Sequence, residues 1–447
     1  MLNAIIPIVS DLVRDAAHPL TGLPTDYDAL LEFVGDARFV LLGEASHGTH
    51  EFYRERIRIT QRLIREKGFA AVAVEADWPD AYRVNRYVQG GNVDVDAVEA
   101  LSGFRRFPAW MWRNADVLDF IGWLRTHNDY LEPARKVGFY GLDLYSLHTS
   151  IGAVLSYLDR VDPDAAHRAR VRYGCFEQFG EDPQNYGYAA GLGLRPDCET
   201  EAVAQLVDMQ QSAINYARKD GWSAMEHFFD AWQNAHVVKD AEQYYRTMFR
   251  GRISSWNLRD QHMAETLDAL VEHLEREHQP VKVVIWAHNS HLGDARATQM
   301  GQAGELNVGQ LVREKYRRDC RLIGFTTYTG TVTAASEWDA PAERKQVRKA
   351  RPDSYEGLFH QVGIPAFSLT LEAGTRVAGG LREPMLERAI GVVYLPQSEL
   401  SSHYFRARLA DQFDAIIHID STRAVEPLEA IAEAGAGEPA ETFPSGV

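Results

Sequence analysis

The sequence has little cysteine, no excess of positive charge and no long apolar run, and each absence narrows the class of protein. Its 447 residues include 3 cysteines and carry a formal net charge of −16. An acidic chain repels phosphate backbones, so we expect no nucleic-acid partner. The cysteines, Cys175, Cys198 and Cys320, are too few and too widely spaced for a disulfide framework or a Cys-x-x-Cys metal site. This usage indicates a reducing compartment, and we expect a cytoplasmic protein.

No stretch of the sequence has the pattern of a membrane anchor. A membrane-spanning helix needs a run of roughly 18 apolar residues, and no such run occurs. The first residues lack a basic segment and their apolar run stops at Asp11, which favours a short amphipathic helix over a signal peptide. We therefore expect no membrane partner.

Several catalytic motifs are also absent from the sequence. Neither the phosphate-binding motif G-x-x-x-x-G-K-[ST] nor G-x-G-x-x-G occurs, and the metalloprotease motif H-E-x-x-H is missing. The nucleophile elbow of α/β-hydrolases requires G-x-S-x-G. Ser46 is followed by Gly48, but the position two before it is Glu44, whose side chain opposes the tight turn. We therefore do not expect Ser46 to be a nucleophile.

Apolar runs alternate with amphipathic stretches in the first half of the chain, which predicts parallel βαβ units. Continuous apolar runs are typical of strands that are buried on both faces by helices. The stretch 50–68 predicts a helix that ends at Gly68. The predicted strands of this core are residues 38–42, 69–77, 137–146 and 281–292.

A long insertion of helical character separates the third and fourth of these strands. Residues 199–279 show helical spacing of apolar side chains and contain no proline. Further strands are predicted at 321–336, 365–372, 390–396 and 413–420. The expected fold is α/β, with a three-layer core and a mostly parallel sheet in 1–150 and 281–335, a helical insertion in 151–280, a smaller C-terminal α/β lobe in 336–425 and a flexible tail in 426–447.

Ionisable or polar side chains follow all four core strands. In an open α/β sheet the ligand lies beyond the carboxyl ends of the strands, where loops and helix N-termini converge. Strand by strand, these side chains are Glu44 and His47, Glu75 and Asp77, Asp143 and Tyr145, and His288 and His291. Their coincidence predicts an active site at this edge of the sheet.

Hydrolysis is the reaction that suits this set of side chains best. A histidine takes a proton from water, a carboxylate fixes its tautomer, and a cation or second histidine holds the developing oxyanion. Two alternatives stay open. One is a divalent metal at His47, Glu75 and His288 with bound water as nucleophile. The other is a non-catalytic protein that retains the pocket for binding. Arg56 on the helix can equally be solvated, and the aromatic stretch 104–112 can wall a cleft or simply pack.

Six stretches of the sequence resemble the erythromycin esterase family, in the same order and across roughly residues 30 to 425. The region around His47 is closer to the broad chromosomal branch of that family than to its dedicated resistance enzymes. The six stretches are LLGEASHGTHEFYRER, VAVEADWP, GFYGLDLYSLHTS, SWNLRDQHMAETL, VVIWAHNSHLGDAR and IGFTTYTGTVTAASEWD.

The resemblance implies a hydrolase that cleaves a carboxylic ester, such as the macrolactone ring of a macrolide, without a cofactor. The family's general-base histidine falls on His47 and the acidic residue of the same loop on Glu44. The arginine of the following helix falls on Arg56, the strand-end glutamate on Glu75 and the downstream histidine on His288. We expect these five residues to be catalytic.

A second set of residues is expected to contact a small-molecule ester substrate. Three of them, Trp256, Asn257 and Arg259, can equally join the helical insertion to the sheet. The full set is Asp143, Tyr145, His291, Trp256, Asn257 and Arg259.

Overall fold

The strands and helices are defined in a computed structural model that describes residues 2–91, 94–180, 182–220, 222–249, 251–276 and 280–429. The predicted tail therefore lies outside the described residues from position 430 onward. The strands are β1 (His18–Pro19), β2 (Phe39–Leu42), β3 (Ala71–Asp77), β4 (Gly138–Asp143), β5 (Val283–Trp286), β6 (Cys320–Ala334), β7 (Glu343–Val347), β8 (Ala366–Thr370), β9 (Met385–Arg388), β10 (Tyr404–Ala407) and β11 (Ala415–Thr422).

The helices lie before, between and after these strands. The helices are α1 (Leu2–Ala16), α2 (Asp28–Val34), α3 (His50–Lys67), α4 (Trp78–Val88), α5 (Ala97–Ala100), α6 (Ala115–Asp129), α7 (Leu147–Val161), α8 (Pro163–Glu177), α9 (Pro183–Gly191), α10 (Glu199–Asp220), α11 (Trp222–Met248), α12 (Arg252–Leu274), α13 (Asn289–Leu292), α14 (Gln299–Gln302), α15 (Val308–Tyr316), α16 (Tyr355–Val362), α17 (Arg376–Gly380), α18 (Glu399–Ser402) and α19 (Leu409–Gln412).

One large sheet organises the described chain. Its strands lie in the order β1-β8-β11-β6-β2-β5-β3-β4, and β7 pairs with β6. The neighbours from β11 to β4 are parallel, whereas β1, β8 and β7 join the sheet antiparallel. The predicted mostly parallel sheet is confirmed, with β2 and β5 at the centre of its parallel part.

Helices cover both faces of this sheet, because its strands alternate their side chains between two apolar cores. Val40 and Leu42 of β2 pack with α3 and α6, and Phe39 and Leu41 pack with α12, α15 and α16. A third core lies among α7 to α11, with Tyr245 of α11 fully buried in it. The predicted three-layer core and helical insertion are therefore confirmed.

Two of the strand predictions differ from the structure. The predicted strand 281–292 ends at Trp286, and its last residues form a turn and α13. The strand predicted at 390–396 is wrong, because this stretch makes only isolated bridges, from Ile390 to Ser46 and from Val393 to Ala335. Of its side chains, Ile390 and Tyr394 are buried, and they pack with Val332 and Ala334 of β6 and Val347 of β7.

The predicted C-terminal lobe shares the main sheet with the core. β8 and β11 are strands of the large sheet, and β9 and β10 form a separate two-stranded sheet. α12, which the sequence assigns to the helical insertion, packs on the sheet. The boundaries of independent folding units therefore stay a prediction.

Two of the three cysteines, whose number and spacing indicated a reducing compartment, are paired in the structure. Cys175 of α8 and Cys198, just before α10, form a disulfide with Cα atoms 5.9 Å apart, whereas Cys320 is free and buried. The two cysteines are 23 residues apart in the sequence, so no local pattern predicts their contact. The packing of α8 against α10 brings them together. The cysteines therefore do not support a reducing compartment, and the cytoplasmic location stays a prediction. No helix within the described ranges is long and apolar enough to cross a membrane.

Candidate active site

A tight loop after β2, residues 43–49, carries the first group of ionisable side chains. Gly48 has a φ of 68°, and a Cβ atom there would lie 2.2 Å from the carbonyl oxygen of Thr333. The backbone N–H of His47 donates to the carbonyl of Ile390 at 3.1 Å. Only glycine fits this close approach. The contacts with Thr333 and Ile390 hold the loop between β2 and the C-terminal part of the chain.

Glu44, His47 and Arg56 form one line of contacts inside this loop. Glu44 Oε1 lies 2.8 Å from His47 Nδ1, and Arg56 Nη2 donates to Glu44 Oε2 at 2.8 Å. All three residues are buried. The carboxylate holds the proton on Nδ1 of His47, which leaves Nε2 free to accept a proton.

Arg56 lies behind Glu44 rather than in the cavity. Its guanidinium carbon is 4.4 Å from the Tyr53 ring centroid and 5.2 Å from that of Trp286. The side chain is fully buried and is not part of the cavity wall. The geometry therefore assigns Arg56 to the positioning of Glu44 and not to contact with a substrate.

His288 follows β5 and faces His47 across the cavity. The two imidazole centroids are 4.9 Å apart. His288 Nδ1 accepts from the backbone N–H of Ser290 at 3.3 Å and lies 2.8 Å from its hydroxyl. Nε2 then carries the proton, and within the described chain this atom has no hydrogen-bond partner. Burial and the nearby His47 hold the pKa of His288 well below its usual range, so the ring is neutral at neutral pH.

Glu75 at the end of β3 is the centre of a second buried network. Its Oε1 accepts from Arg259 Nη2 at 2.8 Å and lies 3.2 Å from His291 Nε2. Its Oε2 accepts from the backbone N–H of His288 at 2.8 Å. Burial alone would raise the pKa of Glu75, but His291 and Arg259 outweigh it and hold the pKa well below its usual range. Glu75 is therefore ionised and fixes His288.

Arg259 and His291 complete this second network. Arg259 Nη2 donates to Asp143 Oδ2 at 2.6 Å, and His291 Nδ1 lies 2.9 Å from both oxygens of Asp260. The imidazole of His291 also stacks on Trp256 with centroids 4.5 Å apart. Burial opposes the charge on His291, but Asp260 and Glu75 outweigh it and raise its pKa to about 9. His291 is therefore a cation at neutral pH, in contrast to His288.

The two networks border one cavity of about 110 Å³ at the carboxyl ends of β3, β4 and β5. The stretch 104–112 forms much of its apolar wall, as expected for a cleft. Eight of the eleven predicted site residues line it. The lining residues are His47, Glu75, Ala76, Asp77, Asp80, Phe104, Arg106, Phe107, Pro108, Ala109, Met111, Trp112, Asp143, Tyr145, Tyr244, Trp256, Arg259, His288, Ser290, His291, Trp338, Gly391 and Val392.

Two residues from the sequence analysis, Asn257 and Ser46, lie outside the cavity wall. Asn257, expected to bind substrate, lies outside the cavity wall and holds a loop by bonding Gly304 O and Leu306 N at 3.0 and 2.8 Å. Ser46 also lies outside the wall, and its hydroxyl is 2.5 Å from that of Thr49. The prediction that Ser46 is not placed as a nucleophile therefore agrees with its position.

Other lining residues were missed because no local pattern marks them. Arg106 donates to Asp77 Oδ2 at 2.8 Å through Nη2. Tyr244 comes from α11 and Trp338 from the connector after β6. Only the chain's long-range packing brings these residues to the strand ends. The FRRFPAWMW stretch was the one signal that included Arg106.

The metal alternative requires His47, Glu75 and His288 to converge. In the part of the chain that the structure describes, these three do not bring their ligand atoms within 4.8 Å of one another. Instead, His47 is bound to Glu44, and Glu75 is bound to Arg259 and His291. The donor set thus fits acid–base chemistry better than coordination of an ion.

Comparison with known proteins relates this chain to one family. The sequence model of the family "Erythromycin esterase" matches residues 64–422. Erythromycin esterase type II of Escherichia coli is 24% identical over 324 residues, which cover 69% of this chain and 73% of that protein. The putative hydrolase YbfO of Bacillus subtilis (strain 168) is 20% identical over 399 residues, which cover 86% and 83%.

A solved structure supports the same relation at the level of the fold. A mutant of the erythromycin esterase EreC in its open conformation superimposes with a TM-score of 0.64. The match is 18% identical in sequence and covers 91% of this chain and 96% of that one. At this identity the likeness concerns the fold alone.

The charge on His291 predicts a pH dependence of stability. Its folded pKa of about 9 lies above the ordinary 6.5. The charge on His291 therefore stabilises the folded protein fully below pH 6.5, and this stabilisation is lost as the pH rises to about 9. It amounts to about 3 kcal/mol, because one pKa unit corresponds to about 1.4 kcal/mol. Urea unfolding across this range should show a larger loss of stability for the wild type than for His291→Gln. Equal losses, or an NMR titration of His291 near pH 6.5, would contradict the assignment.

Proposed function

Since the chain belongs to the erythromycin esterase family and is therefore a hydrolase, we propose that it cleaves a carboxylic ester with water activated by His47. The observation that carries this proposal is the contact of His47 Nδ1 with Glu44 at 2.8 Å. It fixes the tautomer in which Nε2 is the free base. Because His47 lines the cavity, this base is available to a water molecule there.

The proposed reaction proceeds by direct attack of water on the ester carbonyl. His47 Nε2 takes one proton of the water as the oxygen bonds to the carbonyl carbon, which gives a tetrahedral oxyanion. Collapse of this intermediate breaks the bond to the alkoxy oxygen, and His47 returns the proton to that leaving group. The products are a carboxylic acid and an alcohol, and a lactone becomes a ring-opened hydroxy acid.

Glu44 stabilises the charged form of His47 during this reaction. The imidazole becomes a cation when it takes the proton, and the adjacent carboxylate offsets that charge in a buried site. Arg56 holds the other oxygen of Glu44 at 2.8 Å, so the carboxylate keeps its orientation. We assign Glu44 to the positioning of His47, and Arg56 to the positioning of Glu44.

His288 is the group that we assign to the oxyanion. It is neutral, it lines the cavity, and its Nε2 makes no well-formed hydrogen bond among the described residues, although the backbone of Ala45 lies near the ring. A substrate oxygen in the cavity would be an acceptor for the Nε2 proton, and the bond would strengthen as negative charge develops. Glu75 supports this role, because it binds the backbone N–H of His288 at 2.8 Å.

The substrate that we propose is a small-molecule ester with a substantial apolar part. Phe104, Phe107 and Trp112 line one side of the cavity, and Trp338 lies with them, 5.1 Å from Phe107 between ring centroids. Macrolides are one candidate, because the Escherichia coli relative is named an erythromycin esterase. Simple aryl esters provide a general test of hydrolysis. Mass spectrometry of products from a macrolide panel and aryl esters distinguishes a macrolide esterase from an esterase of other specificity.

His47→Ala should abolish most of this activity without unfolding the protein. Loss of a general base lowers the rate by about 10²–10⁴-fold. The measurement is kcat/KM on whichever ester the wild type cleaves, with circular dichroism to check the fold. His127→Ala is the control, because His127 stacks on Trp123 on α6 and lies outside the cavity wall. A folded His47→Ala protein with wild-type turnover would overturn the proposal.

His288→Phe should lower kcat and leave KM nearly unchanged. The phenyl ring keeps the size of the side chain but removes the Nε2 donor, and the loss of one oxyanion donor costs about 10²–10³-fold in kcat. Steady-state kinetics with the same ester separate the two parameters. An effect confined to KM would show that His288 contributes to ground-state binding alone.

A further inference from the structure

A group of ligand-type side chains lies outside the active site, where α11 crosses α12. We propose that His236, Asp240 and His262 bind one divalent transition-metal ion of the zinc type. Among the described residues, they are the only group of three or more His, Cys, Asp or Glu whose ligand atoms lie within 4.8 Å of one another. None of the three lines the catalytic cavity.

The geometry centres on one oxygen of Asp240. Asp240 Oδ2 lies 3.2 Å from His236 Nδ1 and 2.7 Å from His262 Nδ1. His236 and Asp240 are one turn apart on α11, and His262 faces them from α12. Adjacent ligands of a tetrahedral zinc ion are separated by about 3.3 Å, given metal–ligand bonds of about 2.0–2.1 Å. The three atoms therefore need only small shifts to bind one ion.

The opposite ring atoms of both histidines face oxygen atoms. His236 Nε2 lies 4.0 Å from Glu265 Oε2, and His262 Nε2 lies 3.3 Å from the hydroxyl of Thr266. Histidines that bind a metal through one nitrogen usually donate the other N–H to such a partner, which fixes the ring. Both histidines thus present Nδ1 inward and Nε2 outward, as a metal site requires.

The atoms that face inward are available to an ion. His236 Nδ1 is a buried nitrogen that makes no hydrogen bond within the described chain, although it faces Asp240. Lys239 Nζ holds Asp240 Oδ1 at 2.7 Å, so the ion would bind at Oδ2.

The ligand types indicate which ions fit. Two imidazole nitrogens and one carboxylate oxygen suit Zn²⁺, Co²⁺ or Ni²⁺, whereas Mg²⁺ and Ca²⁺ prefer oxygen ligands alone. Three protein ligands leave a fourth position for water. The side chain of His236 is 15% exposed, which provides a route for an ion to enter.

A metal at this place would join the two helices that supply one side of the catalytic cavity. α11 carries Tyr244, and α12 carries Trp256 and Arg259, the residue that binds Glu75 and Asp143. The ion would stabilise the crossing of these helices without taking part in the reaction. The inference does not rest on the proposed ester hydrolysis.

The test is metal binding to the full-length protein after treatment with a chelator and its removal. Equilibrium dialysis against Zn²⁺, with the metal counted by mass spectrometry, should give one ion per chain. Co²⁺ should give the visible absorption of a four-coordinate site, and Zn²⁺ should displace it. His236→Gln should weaken binding at least tenfold, and Zn²⁺ should raise the melting temperature of the wild type but not of this variant.

Two control variants distinguish this site from others. His167→Gln changes an exposed histidine of α8, and His47→Ala changes the catalytic loop, so both should bind Zn²⁺ as the wild type does. Loss of the ion in His47→Ala would place it in the catalytic cavity and overturn the inference. If the protein binds no stoichiometric Zn²⁺, or if His236→Gln binds it as well as the wild type does, the three side chains form a hydrogen-bonded network and not a metal site. Should His236→Gln fail to fold, X-ray absorption of the cobalt-loaded wild type must show two imidazole ligands, and any other count would reject the site.

Discussion

The rest of the site depends on the contacts that the buried carboxylate of Glu44 makes. This carboxylate is almost fully buried and binds Arg56 with one oxygen and His47 with the other. A buried carboxylate requires charged or hydrogen-bonding partners, and the loss of one partner from such a pair costs roughly 3–5 kcal/mol. The folding of β2, of the loop after it and of α3 therefore brings these three residues together as one unit.

The C-terminal half of the chain holds this unit in place. Ile390 bonds the loop at His47, and Val425 donates to the carbonyl of Gly48 at 2.9 Å. Across the cavity, Glu75 fixes His288 through its backbone N–H. His288 and His291 both contact Glu75, but their surroundings differ in charge. Burial and His47 keep His288 neutral, whereas Asp260 and Glu75 keep His291 protonated with a pKa of about 9.

Local sequence patterns were sufficient to predict the sheet and the ends of its strands. Continuous apolar runs end at residues such as Glu75 and Asp143, and the parallel arrangement brings those ends to one edge. The same patterns failed where contacts between distant parts of the chain determine the structure. The run 390–396 has strand-like composition but pairs with a loop, and Cys175 and Cys198 meet only because two helices pack. The sequence also drew attention to Arg56, but its position behind Glu44 depends on the aromatic rings around it.

The central claim is that Glu44 acts through His47, and a double-mutant cycle tests it most directly. The measurement is kcat/KM for one ester with the wild type, Glu44→Gln, His47→Ala and the double variant, all checked for folding. If the carboxylate only orients and stabilises the histidine, the double variant will be no slower than His47→Ala. If the two losses multiply instead, Glu44 has an independent role, and the account of a histidine base supported by Glu44 is wrong.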